Sequence, residues 1–123
     1  DNSCSSSEIL PKGEEQSEVP YLVDQATWKK TIAQGEPTVV KFTASWCKPC
    51  KAIEPVFCEL YKENFSKASF LKIDVDEFED IAAENGAVTI PLFVCYRKGK
   101  VVSSLKGKDE DALRNFVKEG VVA

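Results

Sequence analysis

The run TVVKFTA, residues 38–44, constrains this chain more than any other stretch. It is β-branched and mostly apolar, the composition of a strand covered on both faces. The segment after it changes period: Ile53, Val56, Phe57, Leu60 and Tyr61 recur at helical spacing and predict a helix over about 48–64. Pro55 falls inside that helix and predicts a kink. SFLKIDV, residues 69–75, then alternates as a second strand. A strand, a crossover helix and a strand in succession make a right-handed parallel pair, so the chain must build an open sheet with helices laid on it. Lys41 sits in the middle of the first of these strands, where an isolated charge is expensive to bury.

The remaining elements extend this plan. Residues 19–23 read as a short first strand, and Asp24 as the cap of a helix QATWKKTIAQ that closes at Gly35. EFEDIAAENG predicts a short helix stopping at Asn85-Gly86. LFVCYR (92–97) and KVVSSLK (100–106) are separated only by Lys98-Gly99, a two-residue hairpin turn whose lysine, like Lys100, belongs to a solvated tip. Gly107 and Asp109 introduce a last helix with Leu113, Phe116 and Val117 on one face. The order βαβαβαββα gives a mixed sheet with helices on both faces.

At 123 residues the chain has room for one domain. Residues 1–18 are rich in Ser and Glu and predict a flexible acidic tail ahead of a domain spanning 19–123. Residues 1–20 hold five acids and one lysine, and residues 21–123 hold 15 groups of each sign. A neutral domain argues against nucleic acid or an anionic membrane as a partner. No stretch reaches the roughly 18 apolar residues of a membrane span. The chain starts at Asp1 and contains no methionine, which leaves open a targeting peptide removed upstream.

Five cysteines, Cys4, Cys47, Cys50, Cys58 and Cys95, form no regular disulfide framework. Cys4 lies in the tail; Cys58 and Cys95 read as small core hydrophobes. Cys47 and Cys50 stand at the strand-to-helix junction. There the free N–H groups and positive end of the helix favour a thiolate at Cys47, and Lys48 and Lys51 add charge of the same effect. Cys50, one turn on, is placed to attack a mixed disulfide at Cys47, so Cys47 is the entering nucleophile and Cys50 the resolving thiol. Pro49 in the first turn gives up only an N–H without a helical partner. A CxxC pair is also half of a zinc or iron-sulfur site. The chain has no histidine, which excludes mixed Cys/His sites and Cys-His nucleophile pairs.

VVKFTASWCKPCK followed by AIEP, then FLKIDVDE, TIP, the KGK hairpin and a late glycine, resembles the thioredoxin family over residues 19–123, most closely the plant-type h branch with its VVDFTASWCGPCK motif. The resemblance implies a thioredoxin fold, with a central mixed five-stranded sheet flanked by four helices. It implies a thiol-disulfide oxidoreductase that reduces protein disulfides, needs no cofactor or metal, and acts as a monomer in the cytoplasm, or in a stroma or matrix after loss of a transit peptide. Trp46, Ile90, Pro91 and Gly107 match the substrate-docking positions, Pro91 as a cis-proline facing the cysteines. Pro55 matches the proline that bends the active-site helix, and Lys72 the buried strand lysine.

Two positions depart from the family pattern. Lys48 replaces the usual glycine between the cysteines and should stabilise the thiolate, which shifts the pair toward a more oxidising potential. Lys41 replaces the buried aspartate held to assist the resolving cysteine. Either Lys41 tunes Cys50, as a neutral acceptor or as a cation, or it snorkels or pairs with an acid such as Glu54 and has no redox part. The electron donor is therefore thioredoxin reductase or, for a more oxidising relative, glutathione. A metal or iron-sulfur binding module is the alternative of a different class.

Overall fold

A computed structural model describes residues 19–122, with the side chain of Val122 left aside; the expected tail 1–18 and Cys4 lie outside the described residues. The elements run α1 (Ala26–Ile32), β1 (Thr38–Thr43), α2 (Lys48–Asn64), β2 (Ser69–Asp74), α3 (Glu79–Glu84), β3 (Leu92–Arg97), β4 (Lys100–Lys106) and α4 (Glu110–Val122). The sheet order is β2-β1-β3-β4, with β1 parallel to β2 and antiparallel to β3, and β3 antiparallel to β4.

Central position explains the composition of β1. Every one of its residues is buried, because it has a strand on each side and helices over each face. Side chains alternate between the two faces. Val39, Phe70, Phe93 and Cys95 meet Ile53, Phe57 and Leu60 of α2 and Leu113, Phe116 and Val117 of α4. On the opposite face, Val40, Phe42, Leu71, Ile73 and Val94 pack with Trp28 of α1 and Ile81 of α3. Phe57 lies within 5.7 Å of Phe70 and 5.4 Å of Phe93, centroid to centroid, in tilted aromatic contacts that anchor α2 to the sheet.

The sheet has four strands among the described residues, not the expected five. Residues 19–23 make only a single-residue parallel bridge, Tyr21 with Lys72, supported by Leu22 N–H to the Lys72 carbonyl (2.8 Å) and Lys72 N–H to the Pro20 carbonyl (2.9 Å). Pro20 has no N–H to extend the ladder, so the segment runs along the β2 edge without becoming a strand. The first helix is also shorter than expected, ending at Ile32. Asp24 still caps it through Oδ1, which accepts the Thr27 N–H at 2.9 Å.

The turns follow their residues. Lys98 (φ 54°) and Gly99 (φ 81°) both adopt the left-handed region that a two-residue hairpin demands. Asp109 Oδ1 accepts the Ala112 N–H at 3.0 Å and starts α4. Pro55 lies within a continuous α2. None of the helices among the described residues is long and apolar enough to cross a membrane.

Candidate active site

The site forms where β1 gives way to α2, at the carboxyl end of the parallel pair. Cys47 has extended backbone (φ −90°, ψ 106°) and occupies the N-cap position of α2. Its Sγ accepts the Cys50 N–H at 3.2 Å, the role that a serine or aspartate oxygen fills at other helix starts. A sulfur held there feels the unsatisfied N–H groups and the positive end of a 17-residue helix. Cys47 and Cys50 are joined as a disulfide with Cα atoms 5.3 Å apart, so the structure represents the oxidised dithiol. Both cysteines are buried, packed with Ala44 against Val75 and Ile90, while Lys48 and Pro49 between them are exposed.

The segment before β3 closes the other side. The Ile90–Pro91 peptide is cis, as the resemblance implies. The Ile90 carbonyl oxygen stands 3.8 Å from Cys47 Sγ. Gly107 (φ 100°) donates its N–H to the Pro91 carbonyl at 3.0 Å, which ties the end of β4 to the same segment. Cys47, Ile90, Pro91 and Gly107 are thus assembled in one place from three separate stretches of chain.

Trp46 is 65% exposed beside the disulfide, so packing does not account for it. Its indole N–H donates to Asp76 Oδ2 at 2.8 Å. Asp76 and Val75 went unnoticed in the sequence. The signal that could have found them is topological: they follow the end of β2, which lies beside the end of β1 in parallel register, with Thr43 opposite Asp74.

Beneath the disulfide lies a charge cluster. Lys41 on β1 and Lys72 on β2 are directly opposite each other in register and project onto the α2 face. Two like charges so placed repel. Glu54 of α2 enters between them, pairing one carboxylate oxygen with Lys41 Nζ and the other with Lys72 Nζ at 2.7 Å. Lys41 Nζ also donates to the Cys50 carbonyl oxygen at 2.8 Å. Lys41 is 1% exposed and therefore does not snorkel to solvent. Burial pushes the Lys41 pKa below that of an ordinary lysine; Glu54 opposes that shift and Lys72 reinforces it. Lys72 also stands 4.4 Å from the centre of the Tyr21 ring, a cation-π contact.

Among the described residues, no cluster of three or more Cys, His, Asp or Glu side chains could hold a metal ion. The arrangement is instead that of a reactive dithiol on a rigid platform: a capped sulfur, a second thiol one turn away, and an apolar rim.

The fold and this dithiol define a thiol-disulfide oxidoreductase of the thioredoxin-fold class. The thioredoxin family model matches residues 19–119, and the chain belongs to that family. It is 37% identical over 100 residues to Thioredoxin-1 of Schizosaccharomyces pombe, covering 81% of this chain and 96% of the relative. A Thioredoxin H-type of Chlamydomonas reinhardtii is 37% identical over 109 residues, covering 85% and 96%. The crystal structure of Malassezia sympodialis thioredoxin superposes with a TM-score of 0.81 at 30% identity, covering 93% of this chain and 96% of that one.

Proposed function

We propose that the protein reduces disulfides of other proteins, with Cys47 as attacking thiolate and Cys50 as resolving thiol. Cys47 attacks one substrate sulfur, forming a mixed disulfide and releasing the other sulfur as a thiolate. Cys50 then attacks Cys47 Sγ; the Cys47–substrate bond breaks, the second substrate thiolate leaves, and the enzyme carries the disulfide, oxidised by two electrons. The observation that carries this reading is Cys47 Sγ at the N-cap of α2, bonded to Cys50 and facing the Ile90 carbonyl.

Trp46, Ile90, Pro91 and Gly107 form the docking surface in this reading. The exposed indole supplies apolar area, and the Ile90–Pro91 backbone receives an extended substrate segment beside the sulfur. Lys48, Pro49, Lys41 and Lys72 set the electrostatics. Lys48 stabilises the thiolate form and makes the couple more oxidising, which supports a second reading in which glutathione, rather than thioredoxin reductase, supplies electrons. The chain acts as a monomer, without cofactor, in the cytoplasm or in an organelle stroma or matrix.

Insulin reduction assayed with NADPH and thioredoxin reductase, or with NADPH, glutathione and glutathione reductase, tests both readings. Turnover with the first donor only assigns the thioredoxin system, and turnover with the second only assigns glutathione. Failure with both overturns the reductase function.

A further inference from the structure

Resolution requires the Cys50 thiol to lose its proton as it attacks, and Cys50 is 1% exposed. Bulk water is therefore a poor acceptor, and the chain contains no histidine. Among the described residues, the groups that meet beside Cys50 come from three elements: Lys41 from β1, Lys72 from β2, and Glu54 together with the Cys50 backbone carbonyl from α2. Tyr21 lies under Lys72, and Asp76 is held by the Trp46 indole at the exposed rim. Among the described residues, Glu54 is the carboxylate of the buried cluster. It stands four residues after Cys50 and so on the same face of α2, one turn away. It is also partly open, at 16% exposure, which gives its proton a route out to solvent.

We propose that Glu54 accepts the Cys50 proton during resolution, directly or through one water, and that Lys41 and Lys72 are positioning residues that hold its carboxylate in place. This rests on the reading of Cys50 as the resolving thiol. In the step, the Cys50 S–H bond breaks and the Cys50–Cys47 bond forms. The Cys47–substrate bond breaks, its electron pair leaves on the substrate sulfur, and the proton resides on Glu54 until it passes to solvent. Lys41 is suited to its part because its Nζ bridges the Cys50 carbonyl and the Glu54 carboxylate, linking thiol segment and acceptor through one cation. Two lysines, one on each carboxylate oxygen, also fix where the acceptor lies.

Stopped-flow reaction of the reduced protein with dithiobis-nitrobenzoate separates the steps. The first nitrothiobenzoate is released by Cys47 at a rate proportional to reagent, and the second by Cys50 at a rate independent of it. In Glu54→Gln, an amide close to isosteric, the first phase should match wild type. The second should slow at least tenfold at pH 7, within the usual reach of general base catalysis. Its rate should then climb with pH toward the thiol's own ionisation, while the wild-type profile is flatter. Glu54→Asp, which keeps the carboxylate and withdraws it by one methylene, should recover part of the rate, an effect that simple loss of packing does not give. Should Glu54→Gln fail to fold, a Glu54→Asp second phase with unchanged rate and pH profile overturns the proposal. Equal second phases in Glu54→Gln and wild type also overturn it and leave the reductase function intact. A wild-type protein with no second phase refutes the resolving role of Cys50 on which it rests.

Discussion

Glu54→Ala is the sharpest perturbation of the buried charges, and its effect on stability has a sign that depends on pH. The substitution removes the carboxylate that pairs with both Lys41 and Lys72 where they face each other across β1 and β2. Removing one partner of a buried pair costs about 3–5 kcal/mol, and the partial exposure of Glu54 places the expectation near the lower end, about 3 kcal/mol at pH 7. Glu54 is the group that holds the Lys41 pKa up against burial, so the variant lowers it further. Below the ordinary lysine pKa the unfolded chain then binds more protons than the folded one, and stability rises with pH. One proton contributes at most about 1.4 kcal/mol per pH unit, so raising the pH from 7 to 9 should return up to about 2.7 kcal/mol of the deficit relative to wild type. With a urea slope of about 2 kcal/mol/M, the midpoint should fall by about 1.5 M at pH 7 and by well under 1 M at pH 9. Urea is the right denaturant because it does not screen charge. A midpoint loss that is the same at both pH values, or a deficit below about 0.5 kcal/mol at pH 7, would refute the account of the cluster as a buried and interdependent ionic unit.

Three further outcomes are expected. Cys50→Ser should leave Cys47 able to attack but not to be released, so incubation with a disulfide protein should accumulate a mixed disulfide visible by non-reducing electrophoresis and intact mass; absence of the adduct counts against Cys47 as nucleophile. Gly107→Ala meets no atom within 4 Å, so its cost is the positive φ alone, about 1–2 kcal/mol by thermal unfolding, with a raised KM for protein substrates because Gly107 tethers Pro91. Gly120→Ala would place its Cβ 2.9 Å from Cys95 Sγ, and the resulting overpacking, about 1–3 kcal/mol, should outweigh the helix propensity gained. In a Cys95→Ala background the same change should become stabilising; additive effects on Tm would show that the two side chains do not meet.

The legible part of the sequence was the part governed by local periodicity. β3, β4 and the helix from Lys48 to Asn64 are read directly, since each carries its own pattern and its own start or stop signal. The cysteine pair was equally legible, because N-cap position and i, i+3 spacing are local properties. The fifth strand failed for a reason that was also local: Pro20 withholds the N–H that a longer ladder needs. What periodicity does not encode is which long side chains meet across elements. Glu54 offers itself in the sequence as a partner for Lys41, and the two do pair. Its second partner, Lys72, is not readable from the place of Glu54 one position after the core residue Ile53, at the edge of the apolar face of α2. Only the register of two parallel strands, which puts Lys41 opposite Lys72, turns that edge position into the one where an acid is needed. Lys41 therefore makes sense as a member of a set. A lysine in place of a buried aspartate adds a cation beside Lys72, and a carboxylate arriving from the helix side offsets that charge, so negative charge under the cysteines is moved from strand to helix rather than lost. On this reasoning Lys41 and Glu54 are energetically one unit. Lys41→Met alone should be tolerated, because Glu54 keeps Lys72, while Glu54→Ala alone should not. The double variant should be more stable than Glu54→Ala by 1 kcal/mol or more on the scale of coupled neighbours; equal stability of the double variant and Glu54→Ala would show that the two positions are independent.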